Sequence, residues 1–163
     1  MAAPARLRRM IRLTAGDRAP DFSLTADDGG SVTSAGLAGS RYVLYFYPKD
    51  DTAGCTAQAC GLRDRWTDLA ATGVPVYGVS PDSLKSHAKF RSKYELPFPL
   101  LVDEEHRLAE AYGVWVEKNF MGRRYMGNER TTFVIGADGR IEHVLPQVKP
   151  NEHTDQLLAV LAA

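Results

Sequence analysis

Two hydrophobic periods alternate along this chain. Runs of apolar residues typical of β-strands are separated by windows in which apolar residues recur at helical spacing. The predicted strands cover residues 22–25, 31–33, 42–47, 74–80, 100–102, 131–136 and 140–145. The predicted helices cover residues 56–71, 81–94, 104–112 and 151–161. This order predicts an α/β domain.

Turn residues join two pairs of these strands. Asp-Asp-Gly-Gly at residues 27–30 predicts an N-terminal β-hairpin, and Ala-Asp-Gly at residues 137–139 predicts a second hairpin near the C-terminus. The run at residues 42–47 is apolar throughout, as in a buried central strand. We therefore expect a mixed central sheet flanked by helices. Residues 114–129 match neither period and are predicted to form a loop near the functional site.

Small and polar residues mark the predicted helix ends. Ser80, which precedes a proline, is predicted to cap the helix that ends at Tyr94, and Asp103 is predicted to cap the next helix. Gly73 and Gly113 are predicted to terminate the helices before them.

Length and charge narrow the possible partners. Lysine plus arginine and aspartate plus glutamate both total 20 in 163 residues, so no charge excess favours nucleic acid or an anionic membrane. No run approaches the roughly 20 apolar residues that a membrane-spanning helix needs, which predicts a soluble protein. The length fits one domain, which we place at residues 14–163. A small molecule or a protein is the expected partner.

The N-terminal residues differ from the rest of the chain. Residues 1–13 are rich in arginine, contain no acidic residue and carry no apolar signal core. We expect a disordered arm. A weak organelle-targeting segment and an upstream start ahead of Met10 are alternatives, and none of the three carries the activity.

Cys55 and Cys60 are the only cysteines. The apolar run at residues 42–47 breaks at Pro48, and a helical pattern begins near Cys55. A helix start presents unpaired N–H groups and the positive end of the helix dipole, which stabilise a thiolate. Cys55 is therefore predicted to be a nucleophile. Two cysteines make no disulfide framework and specify no metal site, so we expect a reducing compartment, the cytoplasm.

The spacing of the two cysteines limits how they can react. Five steps along an intact helix separate the Cα atoms by about 8.7 Å. A disulfide needs Cα atoms less than about 7 Å apart. Cys55 and Cys60 can therefore form a disulfide only if the helix between them unwinds, which favours a reversible disulfide over a permanent structural one.

The four histidines show no metal-ligand spacing. His87, His106, His143 and His153 are scattered along the chain, three of them on predicted helices beside charged residues. All four are predicted to lie at the surface.

The segment around Cys55 resembles a known enzyme family. A strand, the spacing Pro48-x-x-x-Thr52-x-x-Cys55 and a helix follow one another, and the sequence GLRD comes directly after Cys60. This pattern resembles the peroxiredoxins, thiol peroxidases with a thioredoxin-like fold, and within them the bacterioferritin comigratory protein or PrxQ branch. The resemblance extends from about residue 15 to the C-terminus.

The resemblance implies roles for five residues. Cys55 would be the peroxidatic cysteine and Cys60 the resolving cysteine, Thr52 and Arg130 would orient the peroxide, and Pro48 would shield the thiolate. Fixed donors near the departing oxygen stabilise the transition state more than the ground state, which suits Thr52 and Arg130. Other interpretations are inert buried cysteines, a helix-capping Thr52 and a solvated Arg130.

Three functional hypotheses follow. The first is a peroxidase that reduces hydrogen peroxide and organic hydroperoxides and is recycled by thioredoxin or a glutaredoxin-like donor, without metal or organic cofactor. The second is a redox sensor that passes its disulfide to a partner. The third is a general thiol-disulfide oxidoreductase, against which the absence of Cys-x-x-Cys counts. We expect a monomer, with a weak dimer as the alternative.

Overall fold

Nine strands and six helices are present in residues 13–162, which the computed structural model describes. The strands are β1 (Ser23–Ala26), β2 (Ser31–Thr33), β3 (Tyr42–Phe46), β4 (Val76–Ser80), β5 (Leu100–Val102), β6 (Trp115–Phe120), β7 (Arg123–Asn128), β8 (Thr131–Ile135) and β9 (Ile141–Leu145). The helices are α1 (Ser34–Leu37), α2 (Ala53–Asp64), α3 (Trp66–Ala71), α4 (Leu84–Tyr94), α5 (Arg107–Ala111) and α6 (His153–Leu161).

Seven strands form one mixed sheet in the order β2-β1-β5-β4-β3-β8-β9. Strands β3, β4 and β5 are parallel, whereas β1 pairs with β2 and β8 pairs with β9 in antiparallel hairpins. Both predicted hairpins and the mixed sheet are therefore confirmed. Every residue of β3 is buried, as its continuous apolar run predicts for a central strand.

Alternate side chains of β3 divide the core between the two faces of the sheet. Val43 and Tyr45 pack in a cluster with residues of α2, α3, α4 and α6. Leu44 and Phe46 pack in a second cluster with residues of α5 and of β8. Because successive strand residues point to opposite faces, this one strand supports helices on both sides. The cysteine helix α2 lies on the first face.

Leu13 is the one described residue of the predicted disordered arm, and it packs against the second cluster. The rest of that prediction concerns residues 1–12, which lie outside the described residues. No helix in residues 13–162 has both the length and the apolar composition needed to cross a bilayer.

The prediction of one continuous helix over residues 56–71 is wrong: the helical segment starts earlier and is interrupted. It begins at Ala53 and is divided at Arg65, whose φ of −113° and ψ of 25° separate α2 from α3. Leu62 and Leu69 still pack in the same cluster on either side of the break. Gly73 follows with a φ of 73°, the left-handed conformation that ends a helix.

Two predicted caps differ from the observed ones. Ser80 does not cap α4, because β4 continues through Ser80 and the Ser83 hydroxyl accepts the Ser86 N–H at 3.1 Å instead. Asp103 does receive helix N–H groups, from Leu108 at 3.1 Å and Ala109 at 3.0 Å. The helix itself starts at residue 107, later than predicted.

The loop predicted at residues 114–129 is wrong. Strands β6 and β7 form a separate two-stranded hairpin there. The turn residues Met121 and Gly122 both have positive φ, 53° and 81°, as a two-residue hairpin turn of type I′ requires. Much of the hairpin is exposed, including Phe120 at 66% and Tyr125 at 47%. Because neither strand has one fully buried face, the sequence lacks the alternation of apolar and polar residues that predicts a strand.

Candidate active site

Cys55 lies in the first turn of α2, where the residue is 2% exposed. The chain leaves β3, passes Pro48 and reaches Thr52, the residue immediately before the helix, whose backbone is extended. The thiol therefore occupies the start of a helix that follows the central strand, as the sequence predicts. Pro48 is half-buried in the connecting loop.

Arg130 is the cation beside this thiol. Its Nη1 lies 3.5 Å from the Cys55 sulfur and donates to Gln58 Oε1 at 2.6 Å. The residue joins β7 to β8, and its carbonyl accepts the Val148 N–H at 2.8 Å, which fixes the backbone from which the side chain extends. Arg130 is therefore a positioned charge rather than a freely solvated one.

Gly54 leaves room for the guanidinium. A Cβ at this position would lie 3.1 Å from Nη2 of Arg130 and 3.6 Å from Cγ of Pro150. Glycine immediately before Cys55 therefore lets the cation approach the helix start closely, a reason that the sequence alone does not show.

A buried hydrogen-bonded chain extends behind Arg130. Gln58 Nε2 lies 3.0 Å from Nδ1 of His153, and Nε2 of His153 lies 2.8 Å from the Thr132 hydroxyl oxygen. We call Arg130, Gln58, His153 and Thr132 the arginine cluster. Burial, followed by the positive charge of Arg130, lowers the pKa of His153 to about 3. His153 is fully buried, so its predicted surface position is wrong.

Thr52 does not cap α2 with its side chain. Its hydroxyl donates to the Lys49 carbonyl at 2.9 Å, and no side-chain bond to a helix N–H is formed. Thr52 therefore occupies the N-cap position, but the interpretation that its side chain caps the helix is wrong. The residue is exposed at the loop that precedes the thiol, with a hydroxyl whose oxygen retains acceptor capacity.

A second buried polar group anchors this loop. Asp50 accepts from the Tyr47 hydroxyl at 2.5 Å, from the Ser86 hydroxyl at 2.8 Å and from Nδ1 of His87 at 2.7 Å. The Asp50 N–H donates to Asp82 at 2.8 Å. We call these five residues the loop cluster. It joins the segment between Pro48 and Thr52 to the first turn of α4.

His87 carries a proton on both ring nitrogens in this arrangement. Nδ1 faces the Asp50 carboxylate, and Nε2 lies 2.8 Å from the Leu101 carbonyl, so each nitrogen meets an acceptor. Burial alone would lower the pKa of His87, but the hydrogen bond and charge of Asp50 outweigh it and the net shift is upward. His87 is fully buried, so its predicted surface position is also wrong. His106 and His143 are partly exposed.

Asp50, Asp82 and His87 also bring metal-ligand atoms within 4.8 Å of one another. Each of these side chains already takes part in the hydrogen bonds of the loop cluster, and Nδ1 of His87 serves as a donor to Asp50. A donor N–H cannot bind a metal ion, so we assign the group to hydrogen bonding.

Cys60 lies in the same uninterrupted helix as Cys55, and both thiols are free. Cys60 is partly exposed, whereas Cys55 is buried. The intact helix keeps the sulfurs in the geometry that forbids a disulfide. Residues 13–162 therefore show the reduced form.

Two residues near the site were assigned no role from the sequence. Gln58 follows Cys55 by three residues, so its position on the same helix face was a usable signal. Lys118 lies half-buried on β6, where burial, followed by the charge of Arg130, lowers its pKa. Its placement depends on the β6–β7 hairpin, which the sequence did not predict.

Comparisons with known proteins agree with this arrangement. The family model described as AhpC/TSA matches residues 15–144. Peroxiredoxin Bcp of Escherichia coli K12 is 49% identical over 149 residues, covering 91% of this chain and 96% of the relative. The putative peroxiredoxin bcp of Coxiella burnetii is 47% identical over 151 residues, covering 93% and 100%.

The solved structures give the same result. Peroxiredoxin Q of Xanthomonas campestris superposes with a TM-score of 0.84 at 36% identity, covering 91% of this chain and 96% of that one. PrxQ of Xylella fastidiosa, solved as a cysteine variant, has a TM-score of 0.87 at 31% identity, covering 93% and 97%. These matches confirm the thioredoxin-like fold. The chain belongs to the AhpC/TSA family and, within it, to the Bcp or PrxQ peroxiredoxins, which are thiol peroxidases.

Proposed function

We propose that this protein reduces hydrogen peroxide and organic hydroperoxides with Cys55 as the attacking thiol. The observation that carries the proposal is the 3.5 Å contact between Arg130 Nη1 and the Cys55 sulfur at a helix start. A guanidinium in this place stabilises the thiolate and can donate to a peroxide oxygen. The bacterioferritin comigratory protein of Xanthomonas campestris, 35% identical, is described in connection with alkyl peroxide reduction, which supports organic hydroperoxides as substrates.

The first step oxidises Cys55. Its thiolate attacks one peroxide oxygen, the O–O bond breaks, and Cys55 becomes a sulfenic acid. The other oxygen takes a proton and leaves as water or as an alcohol. Arg130 is the proposed donor to a peroxide oxygen, and the Thr52 hydroxyl oxygen, whose proton is donated to the Lys49 carbonyl, is the proposed acceptor that orients the peroxide O–H. Pro48 is the proposed shield between the sulfur and bulk water.

The second step uses Cys60. Its thiolate attacks the sulfenic sulfur and forms the Cys55–Cys60 disulfide, and the displaced hydroxide takes a proton and leaves as water. For this bond to form, α2 must unwind locally. An external dithiol then supplies two electrons through a mixed disulfide. Thioredoxin or a glutaredoxin-like protein is the proposed donor, acting on a single-domain monomer in the cytoplasm. No metal or organic cofactor is required by these steps.

Peroxide consumption coupled to a thioredoxin system tests this sequence. Cys55→Ser should abolish turnover, because a serine hydroxyl is not ionised near neutral pH. Cys60→Ser should still be oxidised once but should stall before recycling. Retained turnover in Cys55→Ser would refute the role of Cys55, and wild-type recycling in Cys60→Ser would refute that of Cys60. Oxidation without turnover in the wild type would instead favour a redox sensor.

A further inference from the structure

His153 is a buried titratable residue that the proposed peroxidase steps do not use. It is the first residue of α6 and is fully buried. Helix α6 packs closely on the cysteine helix, since a Cβ on Gly61 would lie 3.2 Å from the Thr154 hydroxyl. His153 therefore lies on a neighbouring element and contacts α2 between the two cysteines, through Gln58.

The direction of each hydrogen bond in the arginine cluster follows from Arg130. A guanidinium can only donate, so the oxygen of the Gln58 amide must face it, as the 2.6 Å contact has it. The amide nitrogen then faces His153, and because it too can only donate, Nδ1 of His153 must be unprotonated. The ring proton is left on Nε2, which donates to the Thr132 oxygen.

We propose that His153 is a positioning residue that acts through Gln58 to hold Nη1 of Arg130 against the Cys55 sulfur. This inference rests on the proposed function. Without an acceptor at Nδ1, Arg130 alone orients the Gln58 amide, and the amide nitrogen is left buried without its partner on His153. The Gln58 side chain would then leave this orientation more readily, and the cation would lose the bond that holds it beside the thiol.

The oxidised enzyme should lack this arrangement. Gln58 lies between Cys55 and Cys60, so the unwinding that the disulfide needs withdraws Gln58 from Arg130 and His153. His153 and Arg130 lie on other elements and stay behind. The positioning chain is therefore complete only in the reduced form, which is the form that reacts with peroxide.

Two substitutions separate positioning from packing. In His153→Asn the side-chain oxygen can accept where Nδ1 does, whereas His153→Leu removes every acceptor. Stopped-flow oxidation by hydrogen peroxide should be about five- to tenfold slower in His153→Leu, in line with losing one hydrogen bond, and within about threefold of wild type in His153→Asn. An unchanged rate in His153→Leu, or equal slowing in both variants, would overturn the proposal.

Nitrogen-15 NMR of the His153 ring gives a readout that does not depend on activity. Reduced wild type should show Nδ1 unprotonated and Nε2 protonated. In Gln58→Glu the second carboxylate oxygen faces the ring, so Nδ1 should gain a proton. A protonated Nδ1 in reduced wild type would refute the inferred bond directions. If the wild type failed to react with peroxide, the proposed function would fall while this measurement stayed interpretable.

Discussion

Two fully buried histidines on the same side of the sheet hold opposite protonation states. His87 lies between the Asp50 carboxylate and the Leu101 carbonyl, and two acceptors require two ring protons. His153 lies between the amide nitrogen of Gln58 and a hydroxyl, and it remains neutral. Both side chains are equally removed from water, so burial alone does not decide the charge. The hydrogen-bonding partners decide it.

The difference assigns the two clusters to different tasks. The loop cluster pairs a buried cation with a buried anion and ties the segment after Pro48 to α4. The arginine cluster keeps its histidine uncharged and leaves Arg130 as its one cation, beside the Cys55 sulfur. We therefore expect changes in the loop cluster to affect mainly stability, and changes in the arginine cluster to affect mainly the rate of oxidation.

Loss of the His87 cation should have the largest effect. His87→Leu leaves the Asp50 carboxylate buried without its counter-charge, and removing one partner of a buried pair costs about 3–5 kcal/mol. Urea unfolding monitored by circular dichroism measures the loss. Asp51→Asn is the matched control, because the pair of Asp51 with Lys93 is exposed and should matter far less. Equal stability of the two variants would contradict the assignment.

Loss of the Arg130 cation should instead slow the chemistry. Arg130→Ala removes the donor beside the sulfur and should reduce the rate of Cys55 oxidation by about 10²-fold or more. Stopped-flow mixing with hydrogen peroxide provides the rate. Arg130→Lys keeps the charge but lacks the planar guanidinium, so its rate of oxidation should lie between those of wild type and Arg130→Ala. Wild-type kinetics in Arg130→Ala would show that this cation takes no part in the reaction.

The two histidines should shape the pH dependence of stability in opposite directions. The pKa of His153 is about 3 in the folded protein and about 6.5 in the unfolded chain. The contribution of His153 to the free energy of unfolding is therefore complete above about pH 6.5 and is lost as pH falls toward 3. Folding raises the pKa of His87. The contribution of His87 to the free energy of unfolding is therefore complete below the pKa of the unfolded chain and is lost as pH rises through the pKa of the folded protein.

The difference in unfolding free energy between wild type and a variant, measured as a function of pH, isolates the effect of each histidine. Subtracting the unfolding free energies of His153→Asn from those of wild type should leave a slope of at most about 1.4 kcal/mol per pH unit on the acid side. The same subtraction with His87→Asn should leave a slope of opposite sign on the alkaline side. Slopes of the same sign would contradict the two assigned protonation states.

Thr52 should have the smallest effect. Thr52→Val removes a hydroxyl that donates to the Lys49 carbonyl, and losing one neutral acceptor for the peroxide O–H should slow oxidation about three- to tenfold. Stability should hardly change, because the residue is exposed and its side chain makes no capping hydrogen bond. Thr52→Ser keeps the hydroxyl and serves as the control. A stability loss without a rate change would mean that the hydroxyl is structural.

Much of the fold could be predicted from the sequence. The parallel strands, both hairpins of the main sheet and the cysteine at a helix start follow from apolar runs and turn residues, which act locally. The β6–β7 hairpin could not be predicted, because both of its faces carry exposed residues and its turn uses Met121 where asparagine or aspartate is usual.

The site was only partly predictable, for a related reason. Cys55 and Arg130 could be paired through the family resemblance, and the 3.5 Å contact agrees with that pairing. His87 and His153 are flanked by polar and charged residues, so their sequence contexts look like those of surface groups. Their burial depends on partners far away in the chain, such as Asp50 and Thr132, and no local pattern reports such partners.

The most direct test of the central claim is to locate the oxygen that peroxide transfers. Cys60→Ser should be mixed with one equivalent of hydrogen peroxide, trapped with dimedone and mapped by peptide mass spectrometry. We predict that the label lies on Cys55 and that adding Arg130→Ala slows its appearance by about 10²-fold. An unlabelled Cys55 in a sample that has consumed its peroxide would contradict the claim that the sulfur beside Arg130 is the reacting atom.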